Sequence, residues 1–330
     1  MLSLLLAITL QQPNVRPSDL HKRVHTYSIV AYDSATGDLG VAVQSKFPNV
    51  GGIVPWAKAG VGAVATQSLG NTDYGEKGLE LMLLGAAAPE AIRVVMRSDP
   101  RPAQRQVGMI DAQGHAASWT GDSCFDWAGG RVGGPAERRL GGKGDLIVGR
   151  GYAAQANIMV SDQTVKNMAE AFEHTPGALA DRLLAALVAG QAGGGDKRGM
   201  ESAALLVVRK NAGYLGLNDR YIDIRVYDDT NPIRELERLY GLHRLYFFTS
   251  RPEDLIPITP DVVKRLEPIL LREPVNQQEK WLDAPQRVAN RKFLEALANF
   301  MYWENYDVRV RMDGKIDRVV LDDILQRRKP

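Results

Sequence analysis

HTYSIVAYDSATGDLGVAVQS, residues 25–45, holds two β-rich runs around one turn. Residues 27–32 (YSIVAY) and 39–45 (LGVAVQS) are dense in residues that suit a pleated, covered surface. Between them DSATGD is a turn, in which Gly37 is free to take positive φ. The stretch therefore predicts a β-hairpin. Residues 47–59 read as a loop, with Gly51-Gly52 and Pro55-Trp56 inside it. Residues 61–67 (VGAVATQ) predict a third strand, whose small residues suit close approach of another layer or of a ligand.

Outward from there, residues 74–84 read as a helix stopped by Gly85, and Pro89 opens another that runs to about residue 97. Residues 104–111 and 115–120 read as a second hairpin. Residues 121–151 form a glycine-rich stretch without a periodic pattern, a length that suggests function or mobility. Residues 164–172 and 176–189 predict two more helices, and 202–209 (SAALLVVR) and 221–227 (YIDIRVY) two final strands. Helices thus come in pairs between groups of strands. A doubly wound α/β sheet alternates them singly and is excluded. The expectation is an α+β class, with two antiparallel sheets face to face and a helix pair outside each, a four-layer αββα sandwich. Strands covered on both faces explain a run as uniformly apolar as 202–208.

From residue 232 glycine becomes rare and charge density rises. Ile233, Leu236, Leu239, Tyr240 and Tyr246 fall at helical spacing. Thr259-Pro260 opens a helix through Leu271, as an N-cap followed by proline. Residues 287–301 form another, with Phe293, Leu294, Leu297 and Phe300 on its apolar face. Asp313-Gly314 turns the chain and Asp317 caps a last helix ending near Gln326. Residues 231–330 are thus a small, mainly helical domain, and 25–230 the α+β domain.

Residues 1–24 read as a leader. MLSLLLAITL, residues 1–10, is too short for a membrane span, which takes about 20 apolar residues. It reads as the apolar part of a secretory signal, although no Lys or Arg precedes it and no A-x-A site follows. Export to the periplasm or beyond is the expectation, the cytoplasm the alternative. The 330 residues are 45% apolar and 24% charged, ordinary for a globular chain that buries a sizeable core. A net charge of +2 gives no argument for nucleic acid or an anionic surface. The five histidines show no metal-ligand spacing, and no metal or cofactor is expected. Cys124 is the single cysteine and reads as a small half-buried apolar residue, with a nucleophile as the alternative. No G-x-x-x-x-G-K-[ST] loop and no G-x-S-x-G elbow occurs.

The segments at 25–52, 55–68, 151–159 (GYAAQANIM) and 194–208 (GGDKRGMESAALLVV) resemble the DUF1028 family, which is placed in the N-terminal-nucleophile hydrolase superfamily. The likeness covers roughly residues 25–230. The tail, 293–325, is similar to a domain labelled peptidoglycan-binding that follows this family. The resemblance implies hydrolysis of a C–N amide bond in a small or peptide-like substrate. It also implies peptidoglycan as a partner of 231–330, or a non-catalytic cell-wall binding role for the whole chain. Self-association of copies is left open.

In that superfamily a Thr, Ser or Cys at the mature N-terminus attacks with its side chain, and its own α-amine, titrating near pH ~8, takes the proton. Thr26 stands at the start of the first strand, where the resemblance puts this residue; otherwise it is an ordinary strand threonine. Its amine exists only if the chain is cut after His25. Ser28, on the same strand face, is the runner-up. Ser45 and Lys46 end the second strand, where they would orient the nucleophile and lower the amine's pKa; the alternative for Lys46 is a solvated lysine. Backbone N–H groups near Gln67 and Ser68 would make an oxyanion hole, with Asn71 as a further donor or a plain turn residue. Asn157, Asp196 and Arg198, with Lys197, would bind substrate; a solvated, salt-bridged loop is the other reading of 196–198. In the tail, Tyr302, Trp303 and Tyr306 would stack on sugar rings or pack as core.

Overall fold

The computed structural model describes residues 26–133, 151–279, 282 and 285–327. The leader, His25 and residues 134–150 of the glycine-rich stretch lie outside the described residues. The chain is of mixed α+β class with several antiparallel sheets. It gathers into two compact units that divide between Glu237 and Arg238.

In the first unit the hairpin forms as read, from β1 (Thr26–Asp33) and β2 (Asp38–Ser45). Gly37 takes φ +77° in its turn. Two further segments are β3 (Pro55–Lys58) and β4 (Gly62–Gln67), followed by helices α1 (Asp73–Leu83) and α2 (Ala88–Ser98). Next come β5 (Gln106–Asp111), β6 (Ala116–Thr120), β7 (Gly129–Gly133) and β8 (Tyr152–Asn157). Helices α3 (Gln163–His174) and α4 (Leu179–Ala192) lead to β9 (Ser202–Val208) and β10 (Arg220–Val226). One antiparallel sheet has the order β10-β9-β2-β1-β8-β7, the other β3-β4-β5-β6.

The two sheets share one apolar core. Val30, Leu39, Val41, Val43, Ala153 and Leu206 of the larger sheet meet Ala63, Ala65 and Ile110 of the smaller. On its other face the smaller sheet packs Val64, Val107 and Met109 against Tyr74, Ile92 and Val95 of α1 and α2. The larger sheet's other face meets α3 and α4: Tyr27 donates to Leu187 O at 3.2 Å, and the rings of Tyr152 and Phe172 lie 5.1 Å apart. Every residue of β2 and β9 is buried, because both faces are covered. Each large apolar side chain so buried contributes about 1.5–3 kcal/mol, and a slip of one residue would exchange every one between faces. That pins the register, and with it the alternate polar residues discussed below. Close packing also dictates composition at Gly75, where a Cβ would lie 2.2 Å from the Trp56 ring.

Two strands lie where the sequence reads as loop. β3 is short and begins with a proline, which an edge strand tolerates because its outward N–H is not needed. β7 is GGRVG, three glycines without intrinsic β preference. Pairing with β8 holds it, and the bare Gly130 lets Ser118 Oγ approach; a Cβ there would lie 2.8 Å away.

The division between units falls within α5 (Pro232–Phe247). Beyond it follow β11 (Leu255–Pro257), α6 (Pro260–Arg272), α7 (Pro274–Glu279), α8 (Arg291–Trp303), β12 (Lys315–Asp317) and α9 (Arg318–Arg327). Phe293, Leu297 and Phe300 of α8 form a core with Val263, Leu266, Leu270, Ile316 and Val320. Thr259 caps α6 as read, accepting from Val262 N at 3.4 Å, and Asp317 accepts from Val319 N at 2.9 Å. α8 begins at Arg291, four residues later than its apolar spacing predicts, because Asn290 is its cap and accepts from Phe293 N at 2.9 Å. The β11–β12 pair has no sequence signal, being three residues on each side. Among the described residues no helix is long and apolar enough to cross a membrane.

Candidate functional site

Antiparallel pairing brings several strand ends together. Thr26, first in β1, lies opposite Ser45, last in β2, and on its other side opposite Asn157, last in β8. Ser45 in turn lies opposite Ser202, first in β9. In the facing sheet Gln67, last in β4, pairs with Gln106, first in β5. Side chains alternate along a strand, so Thr26 and Ser28 point the same way as Val30, into the space between the sheets. Gln155 and Asn157 do the same beside Ala153. At this end the apolar core therefore gives way to a buried polar layer of Thr26, Ser28, Ser45, Gln67, Gln106, Gln155 and Asn157.

The layer is one hydrogen-bonded network whose directions are determined by main-chain acceptors. Gln106 Nε2 donates to Ala156 O at 2.9 Å, Gly129 O at 3.3 Å and Thr120 Oγ1 at 2.8 Å. Two of these are carbonyls, so the amide nitrogen must be there and Gln106 Oε1 must accept. It accepts from Gln67 Nε2 at 2.7 Å and from Asn157 Nδ2 at 2.9 Å. Both nitrogens also reach Thr26 O, at 3.1 and 3.3 Å. Gln67 Oε1 accepts from Ser28 Oγ at 2.6 Å, and Ser28 Oγ accepts from Gln155 Nε2 at 2.6 Å. Thr26 Oγ1 lies 3.0 Å from Ser45 Oγ. Two side-chain amides and two strand partners hold the Thr26 backbone, and Ser45 Oγ is the hydrogen-bond partner of its side chain. Among the described residues Asn157 Oδ1 and Gln155 Oε1 are buried acceptors with no hydrogen-bond partner.

The other residues singled out in the sequence lie around this layer in different circumstances. Lys46 donates to Met200 O at 3.2 Å and lies 3.6 Å from Glu201, so its ammonium is engaged there. Ser68 donates to Cys124 Sγ at 3.3 Å, and that buried thiol reaches Arg105 O at 3.4 Å. Ser68 and Leu69 both take positive φ, +54° and +48°, a strained conformation for two consecutive side-chain-bearing residues. A clamp holds them: Arg105 donates to Leu69 O and, at 3.0 Å, to the buried carboxylate of Asp99. Asn71 belongs to this clamp. Its Nδ2 donates to Asp99 at 3.1 Å and its Oδ1 accepts from Asp73 N at 3.2 Å, so both ends of the amide are used away from Thr26. Burial by itself pushes the Asp99 carboxyl up, but hydrogen bonds from Tyr74, Arg101 N–H, Arg105 and Asn71 outweigh it and hold it well below the usual carboxylate range. Asp196 is buried and accepts from Arg198 N at 2.8 Å and Nη2 at 3.2 Å, and Lys197 donates to Asp126 O at 3.3 Å. Residues 196–198 thus make a salt-bridged turn.

Of the expected site residues, Thr26, Ser45, Gln67 and Asn157 meet directly. Gln67 does so through its side chain. Gln106 and Gln155 escaped the sequence reading. Their signal was present: a glutamine at the head of a strand whose next residues are VGMI and, in YAAQAN, two amides spaced by two on one face. Among the described residues no group of three or more His, Cys, Asp and Glu is placed to hold a metal.

These features define an α+β protein of antiparallel sheets with a polar layer at the strand ends between them. It is a member of the DUF1028 family, whose model, described as a family of unknown function, matches residues 26–236. A crystal structure of a protein from Silicibacter pomeroyi, described with the same family, is 28% identical. It aligns over 67% of this chain and 86% of that one with a TM-score of 0.57. No curated protein matches the chain.

Proposed function

We propose that this protein is a hydrolase of C–N amide bonds of the N-terminal-nucleophile type, acting on a small or peptide-like substrate with Thr26 as nucleophile. The facing sheets, with α1–α2 outside one and α3–α4 outside the other, support reading it as a four-layer αββα sandwich. One observation carries the chemistry: Thr26 is first in β1, with Oγ1 3.0 Å from Ser45 Oγ and its carbonyl held by Gln67 and Asn157. In the chain that begins at Thr26 the α-amine takes the Oγ1 proton. Oγ1 attacks the substrate carbonyl carbon, the C–N bond breaks, and the departing amine takes that proton. Water then cleaves the ester on Thr26, which restores the hydroxyl. Ser45 orients Oγ1. Lys46, which donates to Met200 O and lies 3.6 Å from Glu201, shares its charge with that carboxylate. Intact-mass measurement of the natively expressed protein checks the reading. The expected chain begins at Thr26; one still carrying His25 under every condition tested overturns it.

A second reading concerns the tail. At the end of α8 Tyr302 and Trp303 are 55% and 60% exposed, whereas Tyr306 is buried and donates to Asp323. Two exposed neighbouring aromatics suit stacking on sugar rings, and we assign them to peptidoglycan binding. The full chain is expected to sediment with purified peptidoglycan and the Trp303→Ala chain to lose most of that retention. Equal retention of both removes this assignment.

A further inference from the structure

We infer that Asn157 Oδ1 is the acceptor that holds the α-amino group of Thr26 in the chain beginning at that residue. The inference rests on the N-terminal-nucleophile reading and assigns Asn157 a positioning role in place of substrate binding.

Three observations converge on it. The first is direction. Tyr32 N donates to Gly151 O at 2.9 Å, across the β1–β8 pair. Peptide groups turn to alternate sides at successive residues, and the pairing runs without interruption from Ala31 to Thr26. Thr26, an even number of residues before Tyr32, therefore also presents its nitrogen to β8, where Asn157 stands opposite. Ser45 stands on the other side. The second is the orientation of the Asn157 amide. Its nitrogen is committed to Gln106 Oε1 and Thr26 O, and the chain of donors anchored on Ala156 O and Gly129 O forbids the flipped arrangement. The oxygen is therefore Oδ1, buried, with no partner among the described residues. The third is the count of donors. A peptide nitrogen carries one N–H, whereas an α-ammonium carries three. The β1–β8 ladder uses one donor on Asn157 main-chain O; cutting the chain before Thr26 leaves two more, and Oδ1 of the same asparagine is an acceptor with no partner among the described residues.

The consequence is for the base in the proposed reaction. An acceptor on the ammonium favours the charged form and raises the amine's pKa, and a carboxylate at the same place raises it further. The aspartate variant should therefore need a higher pH to reach the free base, and the acidic limb of any rate profile moves up with it.

The test uses the chain from Thr26 to Pro330, released from a fusion by an added protease, with asparagine side chains ¹³C-labelled. The pH dependence of acylation of the α-amine by a small active ester, read by mass, gives the amine's titration. The Asn157 carboxamide resonance is expected to inflect at the same pH, and Asn157→Asp to raise the amine's midpoint by about one unit. A flat Asn157 resonance through that titration, or an unchanged midpoint in Asn157→Asp, overturns the inference. If the aspartate variant does not fold, the resonance of the unsubstituted chain decides alone. Failure of the hydrolase reading shows elsewhere, in a native chain that keeps His25 or a Thr26 chain that hydrolyses no amide; neither result alters the titration.

Discussion

Gln106→Ala is expected to cost about 3–5 kcal/mol of stability, because buried groups that lose their partners cost about 1–3 kcal/mol each. Gln106 is wholly buried, and its side chain has five partners within hydrogen-bonding distance, three acceptors that share its two N–H groups and two donors. Truncation leaves Thr120 Oγ1 and the carbonyls of Gly129 and Ala156 without that donor, and leaves Gln67 and Asn157 each short of an acceptor. A cavity is left as well, and close-packed strands collapse into it poorly. For a unit of this size each kcal/mol lowers Tm by about 2–4 °C, so a fall of about 6–20 °C is expected. Urea denaturation should show a lower midpoint with an unchanged slope, the mark of altered stability without altered compactness. Gln106→Glu sharpens the point. It preserves the acceptor for Gln67 and Asn157 but sets a second oxygen against two main-chain carbonyls, so no recovery is expected. A loss under about 1 kcal/mol in both variants would show that the layer does not depend on this hub.

Thr26→Val is the second large effect, and it falls on chemistry instead of stability. Valine has the shape of threonine and suits a strand, so β1 and its register should persist. Only Oγ1 is lost, with its bond to Ser45 Oγ. Stability is expected to fall by no more than about 1 kcal/mol, the net worth of one neutral hydrogen bond. Under the proposed mechanism hydrolysis falls by about 10³-fold or more, since Oγ1 is the atom that forms the ester. Ser28, the alternative on the same face, donates to Gln67 and accepts from Gln155, so its hydroxyl is committed to the network. The measurement is amide hydrolysis by chains prepared to begin at residue 26, with Thr26→Val beside the unsubstituted chain. Equal rates would remove Thr26 from the reaction; loss in Ser28→Ala but not in Thr26→Val would transfer the role to Ser28.

The contrast between the two variants follows from position. Gln106 sits where amides replace apolar contacts and must satisfy one another. Thr26 sits at the edge of that layer, where one hydroxyl is oriented by a neighbour. Asn71 shows the same logic from the opposite side. A turn asparagine after β4 looked like a donor to the site, yet its amide donates to Asp99 and accepts from Asp73 N. A carboxylate 28 residues further along the chain receives its donor, and nothing in the local sequence announces Asp99 as that partner.

What this sequence determined by itself was local or periodic. The 25–45 hairpin, the helices that Gly85 and Pro89 bound, the Thr259 cap and the uniformly apolar β9 all follow from neighbours in the chain. The paired order of helices and strands extends that to the α+β class. Thr26 was legible as the start of the first strand for the same reason. Only the tertiary structure decided which strand ends meet. That Gln67 would reach Thr26 O, that Gln106 would join Gln67 to Asn157, and that Lys46 would go to Glu201 depend on pairings between residues far apart in the chain. Chain order does not encode such pairings locally; they are set by burying both sheets against one core. The glycine-rich β7 became a strand by the same route, because β8 was there to pair with it.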